Sequence, residues 1–360
     1  MLADAKSDSS WMRAIALSVV VPCYNESESV HELHRRVTEA CRSTVGDNYE
    51  IVLVNDGSTD GTWSALTGLS GLDPHVVAVQ LARNYGHQIA LSAGLQICRG
   101  ERTLILDADL QDPPELLAEM MALMDQGYDV VYGQRQERDG ETLFKRASAA
   151  AFYRLLNRLI DVRIPVDTGD FRLMSRKALA HLNAMPEQFR FVRGMVAWIG
   201  LRQTALPYQR AARFAGETKY PLKKMLRFAI DAITSFSVRP LRFASHIGIA
   251  FGVMGLISLG CILTFWLRGD VVPGWTSLAA LVLILGSIQL TVLGVFGEYL
   301  GRMYIESKRR PLFIIDEIAT NAAVAESYPA TGLVPPADQS ARNSVHEMHE
   351  RIRRAGHAGS

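Results

Sequence analysis

The stretch Leu104-Ile-Leu-Asp-Ala-Asp-Leu-Gln-Asp-Pro-Pro-Glu115 joins a strand to an acidic turn and decides the kind of fold that we expect. Residues 103–106 have no polar face, which predicts a strand buried inside a sheet. Asp107 and Asp109 follow at its carboxyl end, where two close carboxylates are unfavourable unless a cation lies between them. Mg²⁺ and Mn²⁺ prefer such oxygen ligands. An acidic turn in which Asp112 caps the next helix would explain the same residues.

Strands and helices alternate along the chain on both sides of this stretch. The pattern predicts strands at 15–21, 49–54, 76–81, 103–106 and 129–133, and helices at 29–41, 64–69, 88–97 and 114–124. This order predicts an α/β fold, a mostly parallel sheet covered by helices on both faces. Ligands of such sheets bind beyond the carboxyl ends of the strands. Polar segments stand at those ends, at 22–26, 55–61, 82–87, 107–109 and 133–135.

Composition excludes several classes of protein. The chain has 360 residues and a net charge of +1, so its overall charge does not favour a nucleic-acid partner. Its four cysteines have no paired spacing, which predicts neither a zinc site nor a disulfide framework. The apolar residues 14–21 run into a polar segment without a cleavage site and favour a core strand over a signal peptide. Neither a GxGxxG nor a P-loop fingerprint occurs in the sequence.

Two uncharged apolar segments follow the α/β region, at 247–267 and 278–296, and the second helix is expected to end near 298. Each is long enough to cross the roughly 30 Å hydrocarbon core of a bilayer. The short linker holds only Arg268, whereas basic residues flank the outer ends, namely Arg227, Arg239, Arg242, Arg302, Lys308, Arg309 and Arg310. The positive-inside rule then places both termini in the cytoplasm. A pair of buried helices in a soluble protein is the alternative.

These patterns predict a division of the chain into six segments. A flexible N-terminus (1–13) precedes the α/β domain (14–221), and amphipathic interfacial helices (222–245) precede the transmembrane hairpin (246–301). A cytosolic return segment (302–317) and a disordered tail (318–360) complete the chain. Gly294, Gly297 and Gly301 share one face of the second span, which permits close helix packing within the hairpin or in a homo-oligomer.

Three ordered motifs give the chain a resemblance to a known family. They are Val-Val-Pro-Cys-Tyr-Asn-Glu at 20–26, Val-Asn-Asp-Gly-Ser-Thr-Asp-Gly at 54–61, and Leu-Asp-Ala-Asp-Leu-Gln-Asp-Pro-Pro-Glu at 106–115. They resemble the family 2 glycosyltransferases of GT-A fold. Segments 82–88, 167–174 and 216–220, with the two-span hairpin, resemble the polyprenyl-phosphate group, which includes dolichol-phosphate mannose synthases and bactoprenol glucosyltransferases. The resemblance covers residues 15–316 and makes the α/β domain a cytosolic GT-A catalytic domain.

The resemblance implies a role for each matching residue. A nucleotide-binding group comprises Pro22, Tyr24, Asn25, Glu26, Asp56, Ser58 and Asp107. Mg²⁺ or Mn²⁺ would be held by Asp107, Asp109 and Gln111. Arg135 would face the acceptor phosphate or the diphosphate, and Asp170 stands where relatives with hydroxyl acceptors keep a base, so the implied catalytic residues are Asp109, Arg135 and Asp170. An acceptor-phosphate group comprises Lys145, Arg146, Arg213 and Lys219.

The implied reaction is inverting transfer of one sugar from a nucleotide sugar to a polyprenyl phosphate, at the cytoplasmic face of the inner membrane. The resemblance favours UDP-glucose and undecaprenyl phosphate; UDP-galactose, a UDP-N-acetylhexosamine and GDP-mannose stay open as donors. A phosphate acceptor is anionic at pH 7 and needs positive charge more than a base. Asp170 therefore either takes a proton or orients a sugar hydroxyl or an arginine. A processive polysaccharide synthase is disfavoured because Gln188-Phe-Arg-Phe-Val-Arg193 lacks the tryptophan of the Gln-x-x-Arg-Trp motif. A non-catalytic membrane scaffold is disfavoured by the intact Asp107 and Asp109.

Overall fold

The computed structural model describes residues 15–136, 165, 168–209, 237, 239–268, 274–322 and 328. These residues form two compact units, one within 1–142, 164–219 and 311–360, the other within 143–163 and 220–310. The predicted flexible N-terminus and residues 222–236 of the predicted interfacial helices lie outside the described residues. So do four candidate acceptor-site residues, Lys145, Arg146, Arg213 and Lys219.

The first unit is built on one eight-stranded sheet. Its strands are β1 (Leu17–Cys23), β2 (Tyr49–Asn55), β3 (Val76–Leu81), β4 (Arg102–Ile105), β5 (Val130–Arg135), β6 (Thr168–Ser175), β7 (Gln203–Tyr208) and β8 (Ile315–Thr320). They lie in the order β7-β5-β6-β4-β1-β2-β3-β8. Pairs β1/β2, β1/β4, β2/β3 and β5/β7 are parallel, and pairs β3/β8, β4/β6 and β5/β6 are antiparallel. All residues of β1 and β2 are buried, as in a sheet covered on both faces.

Within the described residues, six helices accompany this sheet. They are α1 (Val30–Val45), α2 (Thr62–Leu72), α3 (His87–Ile97), α4 (Leu117–Asp125), α5 (Arg176–Ala184) and α6 (Val192–Ile199), and a 3₁₀ turn at Pro114–Leu116 precedes α4. Helix α1 shows why these segments are helical, since Val30, Leu33, Val37 and Cys41 recur at helical spacing and are buried in the core. Apolar residues of β1, β2 and β4 form the same core.

The α/β prediction is confirmed, including all five predicted strands and the four predicted helices. One feature differs from a simple alternating sheet. Strand β6 lies between β4 and β5 and is antiparallel to both, with Ile105 opposite Arg172 and Val131 opposite Leu173. Its amino end therefore lies at the same edge as the carboxyl ends of β1 to β5. This reversed strand delivers Gly169 and Asp170 to the edge where the parallel strands end.

The described part of the second unit contains two long helices, α7 (Arg239–Leu267) and α8 (Trp275–Ser307). Both are long and apolar enough to cross a membrane, and apolar side chains such as Ile249, Leu256 and Leu290 are about two-thirds exposed. The predicted boundary at 245/246 is wrong, because α7 is continuous from Arg239. Pro240 is compatible with this start, since a helix tolerates proline in its first turn. Helix α8 likewise extends beyond the predicted end of the hairpin at 301.

The predicted start of the disordered tail at residue 318 is also wrong. Strand β8 runs to Thr320 and pairs with β3, with Ala78 opposite Ala319. It covers an otherwise open sheet edge, which explains why a polar, alanine-containing segment is ordered there. Tyr328 is also buried, and its hydroxyl donates a hydrogen bond to Glu50. The other residues beyond 322 lie outside the described part of the chain.

Candidate active site

Side chains from five elements meet at the carboxyl edge of the sheet. Asp56 follows β2, His87 begins α3, Asp107 follows β4, Asp170 lies near the start of β6, and Arg135 ends β5. The strand register explains this meeting, because parallel strands end at one edge and β6 begins there. The structure therefore brings together residues that are far apart in the sequence, at the place expected for a ligand site.

Asp56 holds the loop that follows β3. Its Oδ1 accepts a hydrogen bond from the backbone N–H of Tyr85 at 2.7 Å, and its Oδ2 accepts from that of Gly86 at 2.9 Å. Burial raises the pKa of Asp56 despite these two donors. Within the turn after β2, it is Asn55 Oδ1 that accepts from the Ser58 N–H, at 3.3 Å.

His87 lies between two carboxylates of the site. Its Nε2 is 3.3 Å from Oδ2 of Asp170 and 3.5 Å from Oδ1 of Asp107. Burial alone would lower the pKa of His87, but the hydrogen bond to Asp170 and the charges of Asp107 and Asp56 raise it to about 9. The imidazole is therefore cationic at neutral pH.

Asp170 is enclosed by donors. Gln88 Nε2 donates to its Oδ2 at 2.7 Å, and guanidinium nitrogens of Arg193 and Arg172 lie 3.8 and 3.9 Å from its Oδ1. Although burial opposes the charged form, the hydrogen bond from His87 and the two arginines hold the pKa of Asp170 well below its usual range. A carboxylate so strongly stabilised is a weak proton acceptor, which favours the orienting role for Asp170 over the base role.

Arg135 takes part in a second buried group. Its Nε donates to the hydroxyl of Tyr208 at 3.3 Å, and that hydroxyl donates to Asp112. Its Nη2 lies 3.8 Å from Oδ1 of Asp112. Gly169 makes room for this guanidinium, because a Cβ there would stand 2.7 Å from Nη2 of Arg135. Asp112 is thus a buried partner of Tyr208, and the 3₁₀ turn after it receives no side-chain cap.

The predicted nucleotide residues that follow β1 form a loop that contacts the β2–α2 loop. Asn25 has a φ of 55°, its N–H donates to Ser58 Oγ at 3.0 Å, and its Oδ1 accepts from the Thr59 N–H at 2.9 Å. Glu26 accepts a hydrogen bond from Ser29 at 2.7 Å. Tyr24 is 47% exposed, whereas Pro22 is buried within β1. Tyr24 and Asn25 therefore offer an exposed surface for a ligand, and Pro22 contributes packing.

The donor set at Asp107 fits a divalent cation. Its Oδ1 is buried and receives no hydrogen bond from the described residues. Burial raises the pKa of Asp107 to about 6, with further contributions from the charges of Asp170, Asp112 and Asp109. Asp109 occupies a turn in which its Oδ1 accepts from the Gln111 N–H at 3.2 Å. Within the described ranges no group of three or more His, Cys, Asp or Glu side chains has metal-site geometry, but Mg²⁺ commonly takes one or two carboxylates plus substrate phosphates.

Sequence reasoning missed five residues that line this site: Gln88, Asp112 as a buried acceptor, Arg172, Arg193 and Tyr208. Gln88 and Arg172 lie inside segments that carry the family resemblance, so their position offered a signal. Arg193 is the last residue of the Gln188–Arg193 segment, which was considered only as a possible motif of processive synthases. Nothing in the sequence marks Tyr208, since its role depends on β7 pairing with β5.

Comparison with known proteins gives matches over both units. A family model described as Glycosyl transferase family 2 matches residues 18–182, and one described as GtrB C-terminal hairpin matches residues 239–303. The uncharacterized glycosyltransferase YkcC of Bacillus subtilis (strain 168) is 47% identical over 306 residues, which cover 85% of this chain and 94% of the relative.

Two further relatives have more specific names. The prophage bactoprenol glucosyl transferase homolog of Escherichia coli (strain K12) is 38% identical over 303 residues, covering 84% of this chain and 99% of the relative. The bactoprenol glucosyl transferase of Shigella phage SfV is 38% identical over 300 residues, covering 83% of this chain and 97% of the relative.

Proposed function

Because the chain belongs to the family 2 glycosyltransferases, we propose that it transfers one glucose from UDP-glucose to the phosphate of undecaprenyl phosphate. The observation that carries this proposal is the likeness to proteins named bactoprenol glucosyl transferase, which extends over 83% of the chain. The match of residues 239–303 to the GtrB C-terminal hairpin supports a lipid acceptor. The product would be a lipid-linked sugar, able to serve as a donor for modification of a cell-envelope glycan.

The proposed reaction is a single displacement. An oxygen of the acceptor phosphate attacks the anomeric carbon, the bond from that carbon to the diphosphate oxygen breaks, and the electron pair leaves with UDP. A displacement of this kind inverts the anomeric configuration. The acceptor phosphate has a second pKa near 6, so it is mostly dianionic at pH 7 and needs no proton removed. The site must instead hold two anions close together, which requires positive charge.

The residues of the described site suit this task. His87, Arg172 and Arg193 provide positive charge beside Asp170, and Arg135 lies on the other side of Gly169. We propose that Asp107, Asp109 and Gln111 hold Mg²⁺ or Mn²⁺. The ion, when bound, would neutralise charge on the leaving diphosphate. Asp170 keeps its neighbouring cations in place and receives no proton during the reaction.

The remaining assignments are also proposals. Tyr24, Asn25, Glu26, Asp56 and Ser58 would contact the nucleotide, with Pro22 supporting them from within β1. Lys145, Arg146, Arg213 and Lys219 would contact the acceptor phosphate together with Arg135. The catalytic unit and both termini would lie in the cytoplasm, with α7 and α8 spanning the inner membrane. The basic residues after α8 support that orientation. A reporter protein that works only in the cytoplasm should therefore be active when it is fused to either terminus.

A transfer assay tests the proposed function. The purified full-length protein in detergent would receive labelled UDP-glucose, UDP-galactose, UDP-N-acetylglucosamine or GDP-mannose, with undecaprenyl phosphate and Mg²⁺ or Mn²⁺. We expect label in the organic phase from UDP-glucose, and a loss of roughly 100- to 1,000-fold in Asp109→Ala or with EDTA. Asp125→Asn, a surface change, is the matched control. If only another donor gives label, the sugar assigned to the reaction changes from glucose to the sugar of that donor. If no donor gives label, the proposal is contradicted.

A further inference from the structure

His87 and two arginines, Arg172 and Arg193, lie close to Asp170, and each has a different set of partners. Arg172 already has hydrogen-bond partners, because its Nε and Nη2 donate to the backbone oxygens of Asp170 and Gly169 at 3.2 and 2.9 Å. Its side chain is only 3% exposed. His87 is held between two carboxylates of the site. Arg193 is the cation that remains to be explained.

Arg193 is poorly satisfied by its present neighbours. Its Nη2 lies 3.8 Å from Oδ1 of Asp170, beyond hydrogen-bond distance, and its buried Nε has no hydrogen-bond partner among the described residues. Its guanidinium carbon stands 5.8 Å from the centre of the Phe191 ring, a distant contact. The side chain is 19% exposed, so part of it reaches solvent although its Nε is buried. A buried donor without an acceptor is costly, and an anionic acceptor that approaches this guanidinium would reduce that cost.

The backbone fixes Arg193 next to the site. Gln88, which donates to Asp170, accepts a hydrogen bond through its Oε1 from the N–H of Val192 at 2.9 Å. The start of α6 is thereby linked to the start of α3. Val192 and Met195, on either side of Arg193, are buried. The guanidinium therefore stands at a defined place beside Asp170 and does not move freely at the surface.

We propose that Arg193 is a phosphate-binding residue of this site, donating hydrogen bonds to an anionic phosphate oxygen of one of the two reactants. The inference rests on the proposed function, because that function supplies reactants that bear phosphate. The planar guanidinium fork matches phosphate oxygens, and one charge-assisted hydrogen bond of this kind changes affinity roughly 10- to 100-fold. The oxygen belongs either to the diphosphate of the nucleotide sugar or to the phosphate of the lipid.

Steady-state kinetics separate these two sources. The full-length Arg193→Gln and Arg193→Lys proteins would be compared with wild type, with each reactant varied while the other is saturating. We expect Arg193→Gln to raise one KM roughly 10- to 100-fold, and Arg193→Lys, which keeps the charge but not the fork, to raise it less. Arg202→Gln is the matched control, since Arg202 is exposed and contacts the Tyr128 ring; its constants should equal those of wild type.

Each outcome decides the question. A raised KM for the nucleotide sugar with weaker UDP binding assigns the diphosphate, and a raised KM for the lipid phosphate with unchanged UDP binding assigns the acceptor. Unchanged KM values for both reactants in Arg193→Gln would overturn the proposal, even with a lower kcat, because Arg193 would then act only by positioning Asp170. If Arg193→Gln does not fold, the Arg193→Lys values decide. Absence of transfer by wild type would contradict the proposed function but not the role of Arg193. In that case, wild type and Arg193→Gln would be compared for binding of UDP and of inorganic phosphate. If the two proteins bind each ligand equally well, the role of Arg193 is overturned.

Discussion

Asp107 and Asp170 lie on either side of His87, yet their surroundings shift the pKa of the two carboxyl groups in opposite directions. Burial raises the pKa of Asp107 to about 6, whereas His87 and two arginines hold the pKa of Asp170 well below its usual range. The first carboxylate has charge that a cation would stabilise, and the second is already neutralised. At the scale of single residues, this difference divides the roles: Asp107 suits a metal ion, and Asp170 suits the fixing of nearby cations.

Asp170→Asn tests this division of roles. Removing a general base costs roughly 100- to 10,000-fold in rate. Because the acceptor phosphate needs no base, we expect Asp170→Asn to lower kcat by less than about 100-fold. The assay is transfer to undecaprenyl phosphate between pH 6 and 9, with Asp125→Asn as control. A loss of more than about 100-fold would restore the base role.

A second carboxylate, remote from the site, gives a prediction for stability. Asp73 accepts hydrogen bonds from the rings of His34 and His75, each at 2.8 Å, and from the His75 N–H at 2.9 Å. Although burial opposes ionisation, these donors lower the pKa of Asp73. A carboxylate that is more acidic in the folded state stabilises the fold above its unfolded pKa of about 3.9, and this contribution disappears as pH falls through the folded value.

Asp73→Asn should therefore lower the thermal unfolding midpoint at pH 7. The difference from wild type should stay constant down to about pH 5 and shrink below about pH 4. Asp47→Asn is the matched control, because Asp47 is 82% exposed and only 3.8 Å from Arg42 at its closest; it should show little effect at any pH. A difference that grows as pH falls would show that the sign of this pKa shift is wrong.

At the scale of elements, two loops at the sheet edge depend on close contact between their backbones. Gly57 follows β2 with a φ of +63°, and a Cβ there would stand 2.6 Å from the backbone N of Asn84 and 2.7 Å from the carbonyl carbon of Arg83. The second loop carries the N–H groups that Asp56 binds. The polar motif after β2 is thus held by the loop after β3, and an added methyl group would push the two loops apart.

Gly57→Ala should weaken UDP binding about tenfold or more and lower the unfolding midpoint. Gly46→Ala is a matched control with a φ of +64° and nothing within 4 Å of the added Cβ. Both variants place alanine at a positive φ, which is strained for a residue with a Cβ, but only Gly57→Ala displaces a neighbouring backbone. Equal effects of the two variants on UDP binding would show that the close approach is unimportant.

The elements also show what the sequence could and could not predict. Apolar runs such as 49–54 and 76–81 predict their strands because a buried strand needs little beyond its own residues. Strand β6 was not predicted as a strand, and its place between β4 and β5 depends on pairing that no local pattern reveals. The same holds for Tyr208 and Arg193, which reach the site only because distant elements pack together. The acidic motif after β4 was predictable because its chemistry is contained within a few residues.

At the scale of the whole molecule, the chain leaves the first unit, forms two long helices and returns to the first unit. Strand β8 joins the sheet through β3 only seven residues after α8 ends. The segment beyond the hairpin is therefore a structural part of the sheet, which explains why the boundary at 318 failed. Residues 315–320 are not apolar enough for their sequence alone to predict a strand. In the structure, three of them are half-exposed and two are exposed. Their order comes from the edge of β3.

Tyr328 is a further attachment of this returning segment. Its hydroxyl donates to Glu50, its ring lies 4.2 Å from the guanidinium carbon of Arg99, and Arg99 Nε donates to Glu50 at 3.0 Å. Ser18 also donates to Glu50 at 2.6 Å. Glu50 is 2% exposed, and these donors satisfy its buried carboxylate oxygens. Because Ser18 and Glu50 lie opposite each other near the starts of β1 and β2, this contact secures the end of the sheet opposite the candidate site.

Tyr328→Phe should lower the free energy of unfolding by about 1–2 kcal/mol, because Glu50 loses one donor while the ring keeps its contact with Arg99. Tyr328→Ala should cost more, since the ring is lost as well. Tyr128→Phe is the matched control, because its ring packs on Arg202 and should do so without the hydroxyl.

Thermal unfolding and UDP binding of the full-length protein together separate stability from function. The unfolding midpoint should fall in the order wild type, Tyr328→Phe, Tyr328→Ala. The UDP affinity should be unchanged at temperatures below the transition. An unchanged midpoint in both Tyr328 variants would mean that the segment beyond β8 contributes nothing to the sheet, and a loss of UDP affinity would mean that this contact reaches the candidate site.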